Sequence, residues 1–277
     1  MCHHGRDAVR HRHRHRRFRA RLYAGAGDNA AAAVGTGVVG EGGCNISLGT
    51  SGTLFVSSKT YCEDKVNALH SFCHADGGWH LMGCILSAAS CNSWWVNGIL
   101  QTDDYKTEEA GLEEKMGKND VFFLPYLMGE RSPHNDVTAR GAFIGMRPDT
   151  TRGEMTLAML EGVAFALRDC LEAAKKNGAV IPRTKLCGGG ARSPLWRKII
   201  ANVMDMPVEL PQTEQGPSYG AAMLAMVGCG EYKTVAEAAS AIVRVKETVL
   251  PDPEIAAAYE QKYRHFTKLY PALKGLF

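Results

Sequence analysis

The sequence predicts an α/β fold, and three observations carry the prediction. Short β-branched and apolar runs alternate with helical periodicities from residue 28 to the end. Two of those runs close on glycine-rich turns, "GTSG" at 49–52 and "GGGA" at 188–191. One segment, 151–176, is apolar on nearly every face, as a helix buried inside a layered core must be. With 277 residues, the chain can hold one large domain or two modest ones and bury a sizeable core.

The elements follow in order. "DNAAAAVGTGVV" suits a helix with Asp28 at its N-cap and glycines closing it. "CNISLGTSGTLFVSS" reads as two short strands around the Gly49–Gly52 turn, and "SFCHADGGWHLMGCI" repeats that pattern with Asp76, Gly77 and Gly78 at the bend. A tryptophan-bearing helix at 87–100 and an acidic surface helix at 106–117 come next. "DVFFLPYL" is a buried strand that ends at Pro125 and opens onto a long polar loop, "MGERSPHNDVTARG". In the helix at 151–176, Met155, Met159, Val163, Leu167 and Leu171 recur at spacings of four. "TKLCGGGARSPLWRKIIANVMDMPVEL" then gives strand, glycine turn, helix and strand. "GPSYGAAMLAMVG" predicts a tightly packed helix, and 253–270 a last amphipathic one.

Composition narrows the function. Hydrophobic residues make up 45% of the chain, yet no run reaches the roughly 18 apolar residues a membrane span needs. The net charge of +3 is local: residues 1–21 hold eight arginines and one aspartate, leaving 24 basic against 28 acidic residues in the remainder. The body therefore offers no general argument for nucleic acid or for a membrane surface. Only the arginine tract could tether a polyanion. Nine cysteines stand at 2, 44, 62, 73, 84, 91, 170, 187 and 229 with no CxxC pair. That pattern predicts a reduced, cytoplasmic protein rather than a disulfide or zinc framework. Residues 1–22 also hold five histidines, at 3, 4, 11, 13 and 15. They read as a disordered, low-complexity leader, foreign to the domain at 23–277 or a translation artefact, with adventitious metal binding as the alternative.

Three motifs can carry chemistry. The Gly49-Thr50-Ser51-Gly52 turn lets backbone fold around an anion, with two hydroxyls and free amides directed inward; the same glycines also serve a plain hairpin. Gly188-Gly189-Gly190-Ala191 ends a strand and opens a helix capped by Ser193, with Pro194 in its first turn. Bare backbone there admits a flat ligand, and the helix terminus favours negative charge; the alternative is a tight connection with no ligand. Neither turn has the spacing of a Walker A loop or of the dinucleotide fingerprint. Asp28 lies between glycines at a helix start, where it serves either as a cap, stabilised by roughly 0.3–1 kcal/mol, or as a general base.

Their order and spacing resemble the C-terminal half of the FGGY family of carbohydrate kinases, and most closely its xylulokinases. The matching residues are "GAGDNAAAAVGTGVV", "SLGTSG", "LPYLMGERSPHND" and "ARGAFIGMRPDTTRGEMTLAMLEGVAFALRD", continuing through "GGGARSPLWRKIIANVMDMPV", "GPSYGAAMLA" and "VLPDPEIAAAYEQKYRHFTKLYPAL". The resemblance implies an actin-like ATPase fold, in which two ribonuclease-H-like domains enclose sugar and MgATP, the Mg2+ held mainly through the nucleotide. It implies that Asp28 deprotonates the attacking sugar hydroxyl and that Asn29 beside it holds the sugar. It places Gly49, Thr50 and Ser51 along the phosphates, Gly188, Gly189, Gly190 and Ala191 against adenosine, and Ser193 at the purine or ribose. The implied reaction is phosphorylation of D-xylulose to D-xylulose 5-phosphate, and a homodimer is allowed. The family's Asp-x-Gly-Thr phosphate loop and most of its sugar pocket belong to a first domain that residues 1–22 cannot supply. The expectation is a truncated chain inactive on its own, or an orphan ATP-binding module that pairs with a separate first domain.

Overall fold

The structure, a computed structural model, describes residues 25–66, 68–213 and 216–277. The leader expected at 1–22 lies outside them. Helix α1 (Asp28–Gly35) is followed by the hairpin of β1 (Cys44–Leu48) and β2 (Gly52–Ser58). A second hairpin pairs β3 (His70–Cys73) with β4 (Trp79–Ile85). Helix α2 (Ala89–Ser93) runs into a π-helical segment, Trp94–Ile99, and α3 (Tyr105–Glu109) into a 3-10 turn, Leu112–Lys115. The short strands β5 (Phe122–Leu124) and β6 (Ala142–Ile144) pair with each other across the polar loop. The remaining elements are α4 (Arg152–Lys176), β7 (Thr184–Cys187), α5 (Pro194–Met204), β8 (Val208–Pro211), α6 (Gly216–Cys229), α7 (Val235–Ile242), β9 (Val245–Val249) and α8 (Pro253–Leu273).

Seven strands form one mixed sheet in the order β3-β4-β2-β1-β7-β8-β9. Strands β1, β7 and β8 run parallel, and every other pairing in the sheet is antiparallel. On one face, α4 packs against β2 and β4 and is flanked by α5 and α8. Leu157, Met159, Leu160, Val163, Leu167 and Leu171 of α4 are fully buried, each removing roughly 1.5–3 kcal/mol of side chain from water. A capping box opens the helix: Glu154 N donates to the Thr151 hydroxyl, and Thr151 N to Glu154 Oε2 at 2.8 Å. The other face carries α1, α6 and α7 over a smaller core of Val34, Met223, Ala238 and Ala239.

The α1–α6 crossing brings two backbones into direct contact. A Cβ on Gly35 would meet Gly220 N at 2.7 Å, and one on Gly220 would meet Gly35 N at 2.9 Å and the Ala31 carbonyl closer still. The two backbones touch, so small residues are obligatory at the crossing.

Three expectations are corrected. Asp28 is the first helical residue of α1; Gly27 holds the cap, and no side chain caps the helix. Helix α6 is tightly packed along one narrow face only, with Gly216, Gly220 and Met223 buried, because its small residues seat that face on α1. The acidic helix is split at Gly111, whose φ of +74° lies in the left-handed region.

Between α4 and α8, Glu161 Oε2 accepts from Lys262 Nζ at 2.7 Å, and Oε1 from the Tyr259 hydroxyl at 2.9 Å. Burial pushes the Glu161 carboxyl up, and Lys262 opposes the shift. Lys262→Met strands a buried carboxylate and is expected to cost about 3–5 kcal/mol in urea unfolding. Adding Glu161→Met to that variant should recover much of the loss; a loss no smaller in the double variant would show that the pair is not coupled.

Candidate functional site

Strands β1 and β7 lie side by side in parallel, with Ile46 opposite Leu186 and Ser47 opposite Cys187. Their carboxyl ends therefore emerge at the same edge of the sheet. The chain leaves β1 through Gly49, Thr50 and Ser51, and leaves β7 through Gly188 into a 3-10 turn at Gly189–Arg192. Gly188 has a φ of +89°, and a Cβ on it would meet the Leu48 carbonyl carbon and oxygen at 2.6 Å and Gly49 N at 3.0 Å. One glycine turn thus rests on the other, which only glycine permits. Their outer sides are open: a Cβ on Gly189 would meet nothing within 4 Å, and one on Gly49 only the Ser51 carbonyl, at 3.4 Å.

The first turn has a definite polarity. The Thr50 carbonyl accepts from Ala88 N at 2.9 Å, from Ser90 N at 3.3 Å and from Ser90 Oγ at 2.8 Å, while the Gly49 carbonyl accepts from Ala89 N at 2.8 Å. These carbonyls are tied to the start of α2, and no backbone carbonyl among the described residues accepts from the amides of Gly49, Thr50 or Ser51. Thr50 is exposed and Ser51 half-buried. Unpaired amides beside two hydroxyls are the arrangement from which anion cradles are built.

At the second turn, Gly188 and Gly189 are exposed while Gly190 and Ala191 are buried. Ser193 caps α5, as the sequence predicts: its Oγ accepts from Trp196 N at 3.0 Å and donates to Glu109 Oε2 at 2.5 Å. Burial raises the Glu109 carboxyl, and the Ser193 bond opposes it. The Ser193 hydroxyl is thus engaged within the fold.

Asp28 is exposed at the start of α1, and its Oδ1 accepts from the Asn29 amide at 2.8 Å. Asn29 Nδ2 reaches Met82 Sδ at 3.6 Å, which sets the beginning of α1 over β4. Met82 lies three residues before Ile85, the partner of Gly52 at the close of the first turn. At about 3.3 Å per residue, that offset is roughly 10 Å along the strand. The two glycine turns are in contact, and Asp28 lies over the same half of the sheet, a short span away.

The loop at 128–141, read from sequence only as polar, contributes a second layer. Glu130 is 1% exposed; its Oε1 accepts from Leu86 N at 3.0 Å and from Arg131 N at 2.7 Å, and its Oε2 has no partner among the described residues. Burial pushes its carboxyl up to about 8 against the pull of those two amides. Nothing in the local pattern singles it out, because one acid in a polar loop has no periodicity to betray its burial.

The C-terminal domain of the FGGY family of carbohydrate kinases matches residues 44–229. The chain belongs to that family. Xylulose kinase of Escherichia coli K12 is 37% identical over 249 residues, covering 89% of this chain and 51% of that protein. The crystal structure of a protein from Brucella ovis described as a xyloylose kinase superposes with a TM-score of 0.86 at 39% identity, covering 92% of this chain and 52% of its own. Xylulose kinase from Rhodospirillum rubrum gives a TM-score of 0.83 at 30% identity, with the same coverage. The chain spans about half the length of each of these relatives. The fold is accordingly the mixed α/β, ribonuclease-H-like domain of the actin-like ATPases, in the form used by FGGY sugar kinases. Among the described residues, no helix is long and apolar enough to cross a membrane.

The Glu130 carboxyl titrates near 4.5 when unfolded and near 8 when folded. Between those values the folded state keeps a proton that the unfolded chain has lost, so stability falls as pH rises, by about 1.4 kcal/mol per pH unit per such group. Asp169, raised by burial to about 7, acts in the same direction. Urea unfolding across this range should show a shallower fall for Glu130→Gln than for the native chain. Parallel curves would mean that Glu130 does not hold the proton.

Proposed function

We propose that this chain is the nucleotide-binding portion of a sugar kinase of the xylulokinase type, which moves the γ-phosphoryl group of ATP onto a pentulose hydroxyl, converting D-xylulose to D-xylulose 5-phosphate. The observation that carries the reading is the contact of two glycine turns at the carboxyl ends of adjacent parallel strands, one with unpaired amides and the other with a bare, open backbone. In open α/β sheets, ligands settle outside the carboxyl ends of the strands.

In this reading the amides and hydroxyls of Gly49, Thr50 and Ser51 receive the phosphates. The flat outer side of Gly188, Gly189, Gly190 and Ala191 receives adenosine, and Ser193 fixes the position of that turn through its cap. Asp28 Oδ1 is anchored by the Asn29 amide, which leaves Oδ2 to take the proton of the attacking hydroxyl, with the Asn29 side chain beside the sugar. Phosphoryl transfer asks mainly for positioning and charge neutralisation, which small groups on rigid backbone provide. Among the described residues, no group of three or more His, Cys, Asp or Glu side chains forms a metal-ligand set. The Mg2+ that travels with ATP would be carried by the phosphates and would neutralise their charge during transfer.

Calorimetric titration with ATP tests the reading. The native chain is expected to release heat on binding, and Gly189→Trp, which fills the open side of the second turn, to abolish it with the urea midpoint unchanged. No binding at millimolar ATP would overturn the assignment.

A further inference from the structure

The backbone around Arg131 is fastened to the strand end that supports the first glycine turn. Ser132 N donates to the Cys84 carbonyl at 3.0 Å, and Leu86 N donates to the Glu130 carboxyl at 3.0 Å. Glu130 and Asp136 exchange two backbone bonds of 2.8 Å each, closing the loop behind them. Arg131 N is itself held by Glu130 Oε1 at 2.7 Å. The residue therefore has a fixed backbone at the end of β4, where Cys84 pairs with Thr53 and Ile85 with Gly52.

Arg131 is exposed and forms no ion pair among the described residues. Arg140 in the same loop is different: its Nη1 donates to the carbonyls of Val137, Thr138 and Ala139 at 3.1, 2.9 and 2.8 Å, as a structural arginine does. The Arg131 guanidinium instead approaches the Cys84 thiol, and so does the Ser51 hydroxyl; both favour the thiolate, though burial outweighs them and raises the thiol. Cys84 is thus the common neighbour of Arg131 and of Ser51. The adjacent acid, Glu130, is raised by burial to about 8 and so cancels little of the guanidinium charge near neutral pH.

We propose that Arg131 contacts the phosphate chain of a nucleotide seated on the Gly49–Ser51 turn, adding a charged donor to the amides and hydroxyls of that turn. A guanidinium suits this place because its planar fork can meet two phosphate oxygens at once. The proposal rests on the nucleotide reading given above.

Calorimetry of the full chain with ATP and with adenosine separates the two. Arg131→Ala is expected to bind ATP about tenfold more weakly, the loss of one charge-assisted contact, while adenosine binding and the urea midpoint stay unchanged. Arg131→Lys should recover part of the ATP affinity as a point charge. Arg131→Gln, close in length and neutral, should behave like the alanine variant and serves in its place if that variant unfolds. Equal ATP affinity in the native chain and the neutral variants would overturn the role of Arg131 alone. An equal loss for ATP and adenosine would also overturn it, by showing that the residue only shapes the site. A native chain that binds neither ligand would overturn the nucleotide reading and this proposal with it.

Discussion

The parallel pairing of β1 with β7 is the contact on which the rest of the site depends. Asn45, Ile46 and Ser47 meet Lys185, Leu186 and Cys187, joining segments separated in sequence by two hairpins, a long loop and the central helix. From that seam the chain departs in opposite directions. After β1 it builds β2, β4 and β3 on one side, and after β7 it builds β8 and β9 on the other. The connections diverge at the carboxyl ends of the two strands, the place where open α/β sheets take ligands. Ile46 and Leu186 are buried on the seam, so a slip of one residue would turn them out of the core. The register that satisfies the core is also the one that lays Gly188 on Leu48 and Gly49.

A second constraint sets the position of Asp28. Helix α1 does not rest on a thick layer of side chains; it is fixed by backbone contact with α6 at Gly35 and Gly220. Close approach of this kind draws on dispersion and fit rather than on a large buried area. It explains how α6 can be apolar and still leave Met226 40% exposed. Beneath the sheet, α4 buries nearly its whole length. The sheet is therefore held rigidly from below, while α1 is placed above it by a contact with almost no slack.

Much of this was legible in the sequence where one interaction dominates a segment. The fourfold spacing in 155–171 defines α4 because burial dominates that segment. The hairpin around Gly49–Gly52 is legible because strand chemistry stops abruptly at glycine. Legibility failed where two preferences compete. Asp28 has the chemistry of an N-cap, yet Gly27 holds that position and the Asp28 carboxylate accepts from the next amide. Helix α6 reads as buried by composition, but composition does not reveal that only its glycine face is covered. Strand β9, "VKETV", is largely exposed along its length, so no hydrophobic alternation announces it. Glu130 is the plainest case, since its burial is decided by residues 84–86, more than forty positions earlier in the chain.

That burial also accounts for the character of the stitch between the loop and the strand end. A carboxylate at Glu130 would need a cation to offset its desolvation, and the nearest candidate is the Arg131 side chain. An ion pair between them would fold the guanidinium back onto the loop. With the proton retained, the carboxyl accepts from two backbone amides and makes no strong demand on Arg131. A neutral acid in this position ties residues 130–132 to 84–86 through hydrogen bonds alone. At the first glycine turn, too, the carbonyls of Gly49 and Thr50 are bonded to the start of α2. Beside Cys84, those carbonyls are thus taken up inside the fold, while the amides of that turn find no backbone carbonyl among the described residues.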